Sequence, residues 1–417
     1  MTVHLDPSVG DTSTDTPVGA AAELRTTDAI RSRAHGLLDR ARAGDSAWFS
    51  IDDDALLLAA DDVVAVTRRR YPDLDIPFHS RWRHFEAGGL DRISGAADQL
   101  PTEVDERARA LIDLAVVSVL LDAGAGPDWA FREPGTELSL ARSEGLGVAS
   151  WHAFLDGRFS AGRTPMVDAT GLRDLTVESL ATAFQVTGSN PLVGLSGRVE
   201  LLHRLADALI ARPDVFGPDG RPGRLYDALV DDGDRSIPAT DILSALLTTL
   251  SRIWLSDNSI GDQPVGDCWR HQAVHGAGRT EGWMPFHKLS QWLTYSLLEP
   301  FAWAGVEVSG LDDLTALPEY RNGGLLIDTG AIRLHDPALV ERTWSVGDEL
   351  IVEWRALTIA LIDELAPLVR ERLDVEQSAL PLACVLEGGT WSAGRALAQR
   401  LRGGLPPLAI ASDGTVF

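Results

Sequence analysis

The sequence predicts a mainly α-helical globule with a few short strands. Apolar residues recur at helical spacing in four long stretches, strand-like alternation is scarce, and Gly/Pro-rich turns punctuate the chain. At 417 residues, with 45% hydrophobic and 24% charged residues, the chain is long enough to bury a large core.

Residues 1–26 are rich in Ser, Thr, Asp and Gly without periodicity, which predicts a disordered tail and leaves 27–417 as a single helical domain. The first stripe is Ala108, Leu111, Ile112, Ala115 and Val119, ended by Gly124 and Gly126. The window around it, 111–125, is broken by Asp113 and Asp122 and is too short to span a bilayer. A second stripe, Val199, Leu202, Leu205 and Leu209, stops before Pro213. The third is Ile242, Leu246, Leu250 and Ile253, with Thr240 as N-cap. The fourth, Trp354, Leu357, Leu361, Leu365 and Leu368, predicts a long helix with Pro367 as a possible kink. The strand candidates are 325–334 and 408–417.

A net charge of −24 argues against nucleic-acid and anionic-membrane partners, because both require a basic face. Two cysteines, Cys268 and Cys384, fit a reducing compartment, and no secretory signal is visible, so a cytoplasmic location is expected.

Of the 37 basic residues, one is lysine: Lys288. Arginine is a planar, permanently charged fork, whereas lysine is a compact ammonium whose pKa moves readily on burial, so a site can require one and refuse the other. Around it, His287, Gln291 and Tyr295 fall at i, i+4 and i+8, which predicts a polar helix face lining a pocket. Leu289, Trp292, Leu293, Ser296 and Leu297 are assigned to the packing face. Downstream, Pro318-Glu319-Tyr320-Arg321-Asn322-Gly323-Gly324 reads as a tight turn presenting four functional side chains between breakers.

Arg81, Trp82, Arg83 and His84 interleave cations with aromatics, which suits recognition of a phosphate and a planar group, or simple cation–π packing. Glu353 and Arg355 cannot share one face of a helix; an extended lead-in from Asp348 would point both the same way, into the pocket. Cys268, His271 and His275 have metal-ligand spacing if helical, but Gln272 stands where a catalytic zinc helix carries glutamate, and Arg270 opposes a cation. No metal site is therefore expected. The Gly-rich stretches 188–197 and 388–394 lack the Lys-Ser/Thr ending of a phosphate loop, and no nucleophile elbow is present.

These segments carry a resemblance. Phe184-Gln185-Val186-Thr187-Gly188-Ser189-Asn190-Pro191-Leu192, the Lys288 stretch, Leu317 through Gly324, Glu353-Trp354-Arg355-Ala356 and Leu386-Glu387-Gly388-Gly389-Thr390-Trp391 resemble the fungal and bacterial uracil-catabolism family, a domain formerly of unknown function. More distantly, the order Phe-His-Lys-x-Ser-Gln, Leu-Thr-x-x-x-Glu-Tyr-Arg and Glu-x-Arg-Ala is similar to the queuosine 5′-phosphate N-glycosylases, whose architecture is related to DNA glycosylases. That family has aspartate where Glu319 stands here, so the carboxylate arm is one methylene longer.

The resemblance implies that 27–417 is a catalytic domain cleaving the N-glycosidic bond of a (5-phospho)ribosylurea, giving urea and ribose (5-phosphate). It implies Glu319 as the carboxylate that stabilises the anomeric cation and orients water, with Lys288 contacting substrate or holding Glu319 ionised. Arg81, Trp82, Arg83, His84, His287, Gln291, Tyr320, Arg321, Asn322, Glu353 and Arg355 are the expected substrate-binding set, and no cofactor is needed. A non-catalytic catabolite-binding protein and a metal-dependent amidohydrolase built on Cys268, His271 and His275 are the alternatives.

Overall fold

The 25-residue helix Glu349–Leu373 is buried along nearly its whole apolar surface, as a helix hydrophobic all round must be. In this computed structural model, which describes residues 13–230 and 235–411, helices Thr27–Arg42 and Asp53–Arg70 pack on it. A second layer is built on the helix Lys288–Trp303, against which Val104–Leu120 and Ala239–Leu250 pack. Helix Tyr320–Asp328 lies against Trp391–Arg402 and against the long helix. The fold is mainly α.

Strands occur among the described residues only as two-stranded pairs. The pair that matters most joins Cys268–Arg270 antiparallel to Trp283–Pro285, with Cys268 opposite Pro285, and delivers the chain to Lys288. Another ties Phe49–Ile51 to Ile332–Leu334, closing the molecule across 281 or more residues of chain.

Several expectations are corrected. Residues 17–24, assigned to a disordered tail, form the helix Pro17–Leu24, capped by Thr16, whose Ala20, Ala21 and Leu24 pack with Ile260, Val265, Cys268 and Trp283. The segment is short and small-residue-rich, PVGAAAEL, so it shows no clear periodicity, yet three buried apolar positions suffice to seat one short helix. Residues 1–12 and 412–417 lie outside the described residues, so part of the tail expectation and part of the 408–417 strand do too. Of the 325–334 strand only Ile332–Leu334 is extended, because the helix begun at Tyr320 continues to Asp328. The helix predicted behind Thr240 starts at Ala239, with Pro238 as cap, and Ile253 lies beyond its end. The long helix already begins at Glu349, so there is no extended lead-in to Glu353 and Arg355. No helix among the described residues is long and apolar enough to cross a membrane.

Candidate active site

Lys288 is placed by an abrupt change of backbone. The strand Trp283–Pro285 turns into the Lys288 helix through His287, a non-glycine residue in the left-handed region at φ 49°. Such a residue costs on the order of 1 kcal/mol and persists only where its surroundings fix it. Here Asp267 fixes it: its carbonyl accepts from the Phe286 N–H at 2.9 Å, and its Oδ2 accepts from the Lys288 N–H at 3.0 Å. The Asp267 carboxylate is itself held by Arg355 in a bidentate pair at 2.8 and 2.7 Å and by Trp269 Nε1 at 2.7 Å. Burial would raise the Asp267 pKa, but the Arg355 charge and these hydrogen bonds outweigh it and hold the carboxyl below its ordinary value.

Glu319 comes from the other side. It is the N-cap of the helix Tyr320–Asp328, its carboxylate accepting from the Arg321 N–H at 2.8 Å and the Asn322 N–H at 2.6 Å. The expected tight turn at 318–324 is therefore a helix start. Gly323 lies inside the helix because a Cβ there would come within 2.8 Å of the Trp354 ring, whose Nε1 donates to Gly323 O at 3.1 Å. The Arg355 Nε reaches Pro318 O at 3.4 Å, so one guanidinium braces both the Lys288 turn and the Glu319 cap.

Lys288 and Glu319 are electrostatically coupled, and both remain partly accessible in a recess among buried groups. Burial lowers the Lys288 pKa, aided by Arg355 and opposed by Glu319, Asp267 and Asp122. Burial also raises the Glu319 pKa, despite the two N–H donors and Lys288. The Lys288 ammonium acts in the expected direction, favouring the ionised carboxylate, but desolvation is the larger influence on the Glu319 pKa.

Asp122 acts electrostatically on Lys288, Tyr320 and His84, and Trp292 joins Arg81, 5.5 Å over its ring, to His84, 5.7 Å between ring centres. Arg81 is fully buried: its Nε donates to Ser118 Oγ at 2.7 Å, and its Nη1 lies 3.0 Å from Asp122. Three polar atoms here, Arg81 Nη2, His84 Nδ1 and Trp292 Nε1, are buried without a hydrogen-bond partner among the described residues. Burying such groups unpaired costs roughly 1–3 kcal/mol each, and all three belong to one cluster of ring contacts centred on Trp292. Burial and the Arg81 charge push the His84 pKa down to about 4, so its imidazole is neutral near pH 7.

The other expected residues make the following contacts within the protein. Trp82 Nε1 donates to Ser296 O at 2.7 Å and its ring packs on Trp303, away from Lys288. A surface cavity of about 600 Å³ lies on that side, between Trp82, Leu111, Arg107 and Trp303, and includes neither Lys288 nor Glu319. Arg83 pairs with Glu299 at 2.7 Å. His287 donates from Nε2 to Leu24 O at 2.8 Å, and burial pushes its pKa down to about 4. Gln291 and Tyr295 clamp the segment leading to Glu319: Thr315 N–H donates to Gln291 Oε1 at 3.4 Å, and the Tyr295 hydroxyl donates to Thr315 O at 2.9 Å. The polar face drawn through His287, Gln291 and Tyr295 is thus a bracing face, while Trp292, assigned to packing, shares the Lys288 side at i+4. Arg321 lies under the Tyr320 ring and reaches Gly404 O at 3.2 Å; Asn322 bonds Leu317 O and Thr390. Glu353 is buried against His271 at 3.1 Å and Ser46.

Cys268, His271 and His275 diverge. They lie on a strand and the turn after it, not on a helix, with His271 directed at Glu353 and His275 exposed beside Glu281. They form no common donor set, and burial pushes the Cys268 thiol pKa well above its ordinary value. Among the described residues no three His, Cys, Asp or Glu side chains gather as a metal site. Asp122, Asp267 and Trp292 were not among the residues singled out from the sequence. Asp122 left the one usable signal, a charge interrupting an apolar run.

The family model for the protein of unknown function DUF1688 matches residues 23–417. The chain belongs to this family. It is 39% identical over 409 residues to Protein urg3 of Schizosaccharomyces pombe, covering 95% of this chain and 98% of that protein. It is also 39% identical over 378 residues to Uracil catabolism protein 4 of Lachancea kluyveri, covering 82% of this chain and 85% of the relative.

Proposed function

We propose that this protein acts in uracil catabolism as an N-glycosyl hydrolase, splitting a (5-phospho)ribosylurea into urea and ribose (5-phosphate). The observation that supports this reading is that a desolvated carboxylate, Glu319, and the chain's single lysine, Lys288, act on each other electrostatically, together with the unpartnered buried polar atoms of Arg81, His84 and Trp292. Its context is the name of the Lachancea kluyveri relative.

The chemistry follows from the transition state. As the C1′–N bond lengthens, its electron pair leaves with the urea nitrogen and positive charge gathers on C1′ and the ring oxygen. Glu319 stabilises that charge and accepts a proton from the attacking water, whose oxygen forms the new C1′–O bond. Lys288 lies on the same recess and offers an ammonium to a ribose hydroxyl or a phosphate oxygen, with Arg81 Nη2 as a further donor.

Urea release from ribosylurea and ribosylurea 5-phosphate, followed by NMR, tests the reading. Wild-type protein should turn over at least one of them. Glu319→Gln keeps the shape and the recess but removes the charge, and should bind with catalysis reduced by roughly two to four orders of magnitude. Saturable binding without any turnover by wild-type protein would instead identify a catabolite-binding module.

A further inference from the structure

Glycosidic cleavage needs an acid as well as a carboxylate, because urea is a poor leaving group as an anion. Glu319 is committed to charge stabilisation, and Lys288 is its partner. Next to them is a dyad the sequence does not announce. His79 Nδ1 lies 2.9 Å from Glu387 Oε2, and both side chains are more than nine-tenths buried. The His79 ring lies 6.3 Å from that of Trp391, the residue that opens the helix packed on the Glu319 helix.

The carboxylate of this dyad is held with unusual thoroughness. Arg70 Nη2 donates to Glu387 Oε1 at 2.7 Å and the Tyr71 hydroxyl donates to the same oxygen at 3.1 Å. Glu387 sits in a single π-helical turn, Leu386–Thr390, a local geometry found mostly where function has re-aimed a side chain. That turn is locked to the Glu319 helix: Thr390 Oγ1 donates to Asn322 Oδ1 at 2.9 Å, and Gly394 approaches so closely that a Cβ would lie 2.1 Å from Arg321 O. Burial would raise the Glu387 pKa, but the His79 hydrogen bond and charge and the Arg70 charge overcome it and bring the carboxyl down to about 2. The carboxylate is therefore ionised at any working pH, and it fixes the tautomer and orientation of the ring.

We propose that His79 is the catalytic acid: its Nδ1–H donates to Glu387, the positioning residue that aims it, and a second ring proton, carried on Nε2, is delivered to the departing urea nitrogen. This rests on the reading under Proposed function. The step balances: the C1′–N pair goes to nitrogen, nitrogen takes the His79 proton, water supplies the new oxygen on C1′, and the water proton passes to Glu319. Proton return from Glu319 to His79 through solvent closes the cycle without any further reactant.

The experiment compares two leaving groups on the same sugar: urea, which must be protonated, and p-nitrophenolate, which leaves unassisted. With 5-phosphoribosylurea, His79→Gln should lose roughly 100- to 10,000-fold in kcat, whereas with p-nitrophenyl ribofuranoside 5-phosphate it should stay within about 10-fold of wild type. Glu387→Gln should show the same selectivity at smaller amplitude, and Glu319→Gln should lose both reactions. Equal loss on both substrates by His79→Gln, or undiminished urea release, overturns the proposal. Should the variants fail to fold, wild-type rates across a series of aryl ribosides decide: a shallow dependence on leaving-group basicity supports an enzymic acid, and a steep one overturns it. Absence of urea release by wild-type protein defeats the glycosidase reading itself, and this inference with it.

Discussion

Removing the charge of Asp267 should destabilise the protein by about 3–5 kcal/mol, the usual cost of leaving one member of a buried ion pair uncompensated. Asp267 is 5% exposed, and its two carboxylate oxygens take four hydrogen bonds, two from Arg355 and one each from Trp269 and Lys288. In Asp267→Asn one oxygen becomes an amide donor facing the Arg355 fork or the Lys288 N–H, so at least one charge-assisted bond becomes a donor–donor clash. The Arg355 guanidinium also lies 4.0 Å over the Phe286 ring and reaches Pro318 O at 3.4 Å. Arg355→Met, which keeps the stem and removes the charge, should cost a similar amount from the opposite side of the pair. The double variant should cost much less than the sum, with a coupling energy of about 2–3 kcal/mol, since each single change strands the partner that the other removes. Denaturant unfolding followed by circular dichroism measures all four corners of this cycle. Strict additivity, or single variants within about 1 kcal/mol of wild type, would refute the view that one buried pair fixes both the His287 turn and the Glu319 cap.

Lys288→Arg preserves charge but widens and flattens the cation in a desolvated recess, so urea release should fall by roughly 10- to 100-fold while the melting temperature barely moves. Unchanged turnover would make the single lysine an accident of composition. The pH profile of kcat/KM should be bell-shaped. Glu319 must be ionised to act, and its pKa is raised by burial, so activity falls with decreasing pH at a higher pH than for an exposed glutamate. Under the proposed mechanism both Lys288 and the acid His79 must be protonated, and burial lowers the Lys288 pKa, so activity falls with rising pH before the ordinary lysine range is reached. Glu319→Gln should abolish the acid limb in whatever residual activity remains; an acid limb at an unshifted carboxylate position would contradict the desolvation argument.

The long helices were legible because their apolar stripes survive intact: Val104–Leu120, Leu195–Ile210 and Glu349–Leu373 each contain the predicted stripe. The Glu319 helix was not, because Pro318, Gly323 and Gly324 carry the same signature whether a glycine serves a turn or admits a neighbour. Only the Trp354 ring lying against Gly323 distinguishes the two, and that contact is 31 residues away in sequence. Lys288 was legible against a background of arginine, yet its neighbours on the helix were assigned to the wrong faces. The period was right, but His287 stands outside the helix in a left-handed turn, so counting faces from it rotates the assignment. His271 and His275 show the same failure in reverse, since four-residue spacing has meaning only on a helix and both lie in the turn and loop after the strand Cys268–Arg270. The His79–Glu387 pair joins residues 308 apart and leaves no local pattern at either end.

The tension at Glu319 is the informative part of the site. A helix N-terminus with two N–H donors and a nearby ammonium is the arrangement that favours a carboxylate, and it ordinarily lowers the pKa. Here the shift runs the other way, because desolvation exceeds all three favourable influences. A carboxylate needed only to cap a helix gains nothing from that burial; an exposed N-cap satisfies the same donors at lower cost. Burial becomes useful when positive charge develops beside the carboxylate during a reaction, since a water-excluded environment strengthens that attraction without any reorganisation. The same reasoning applies to Lys288, whose ammonium is penalised by burial and relieved by whatever anion enters the recess. Under the proposed function both penalties diminish together when a substrate places a developing cation against Glu319 and an electronegative oxygen against Lys288, the charge distribution of a ribosyl group losing its nitrogen.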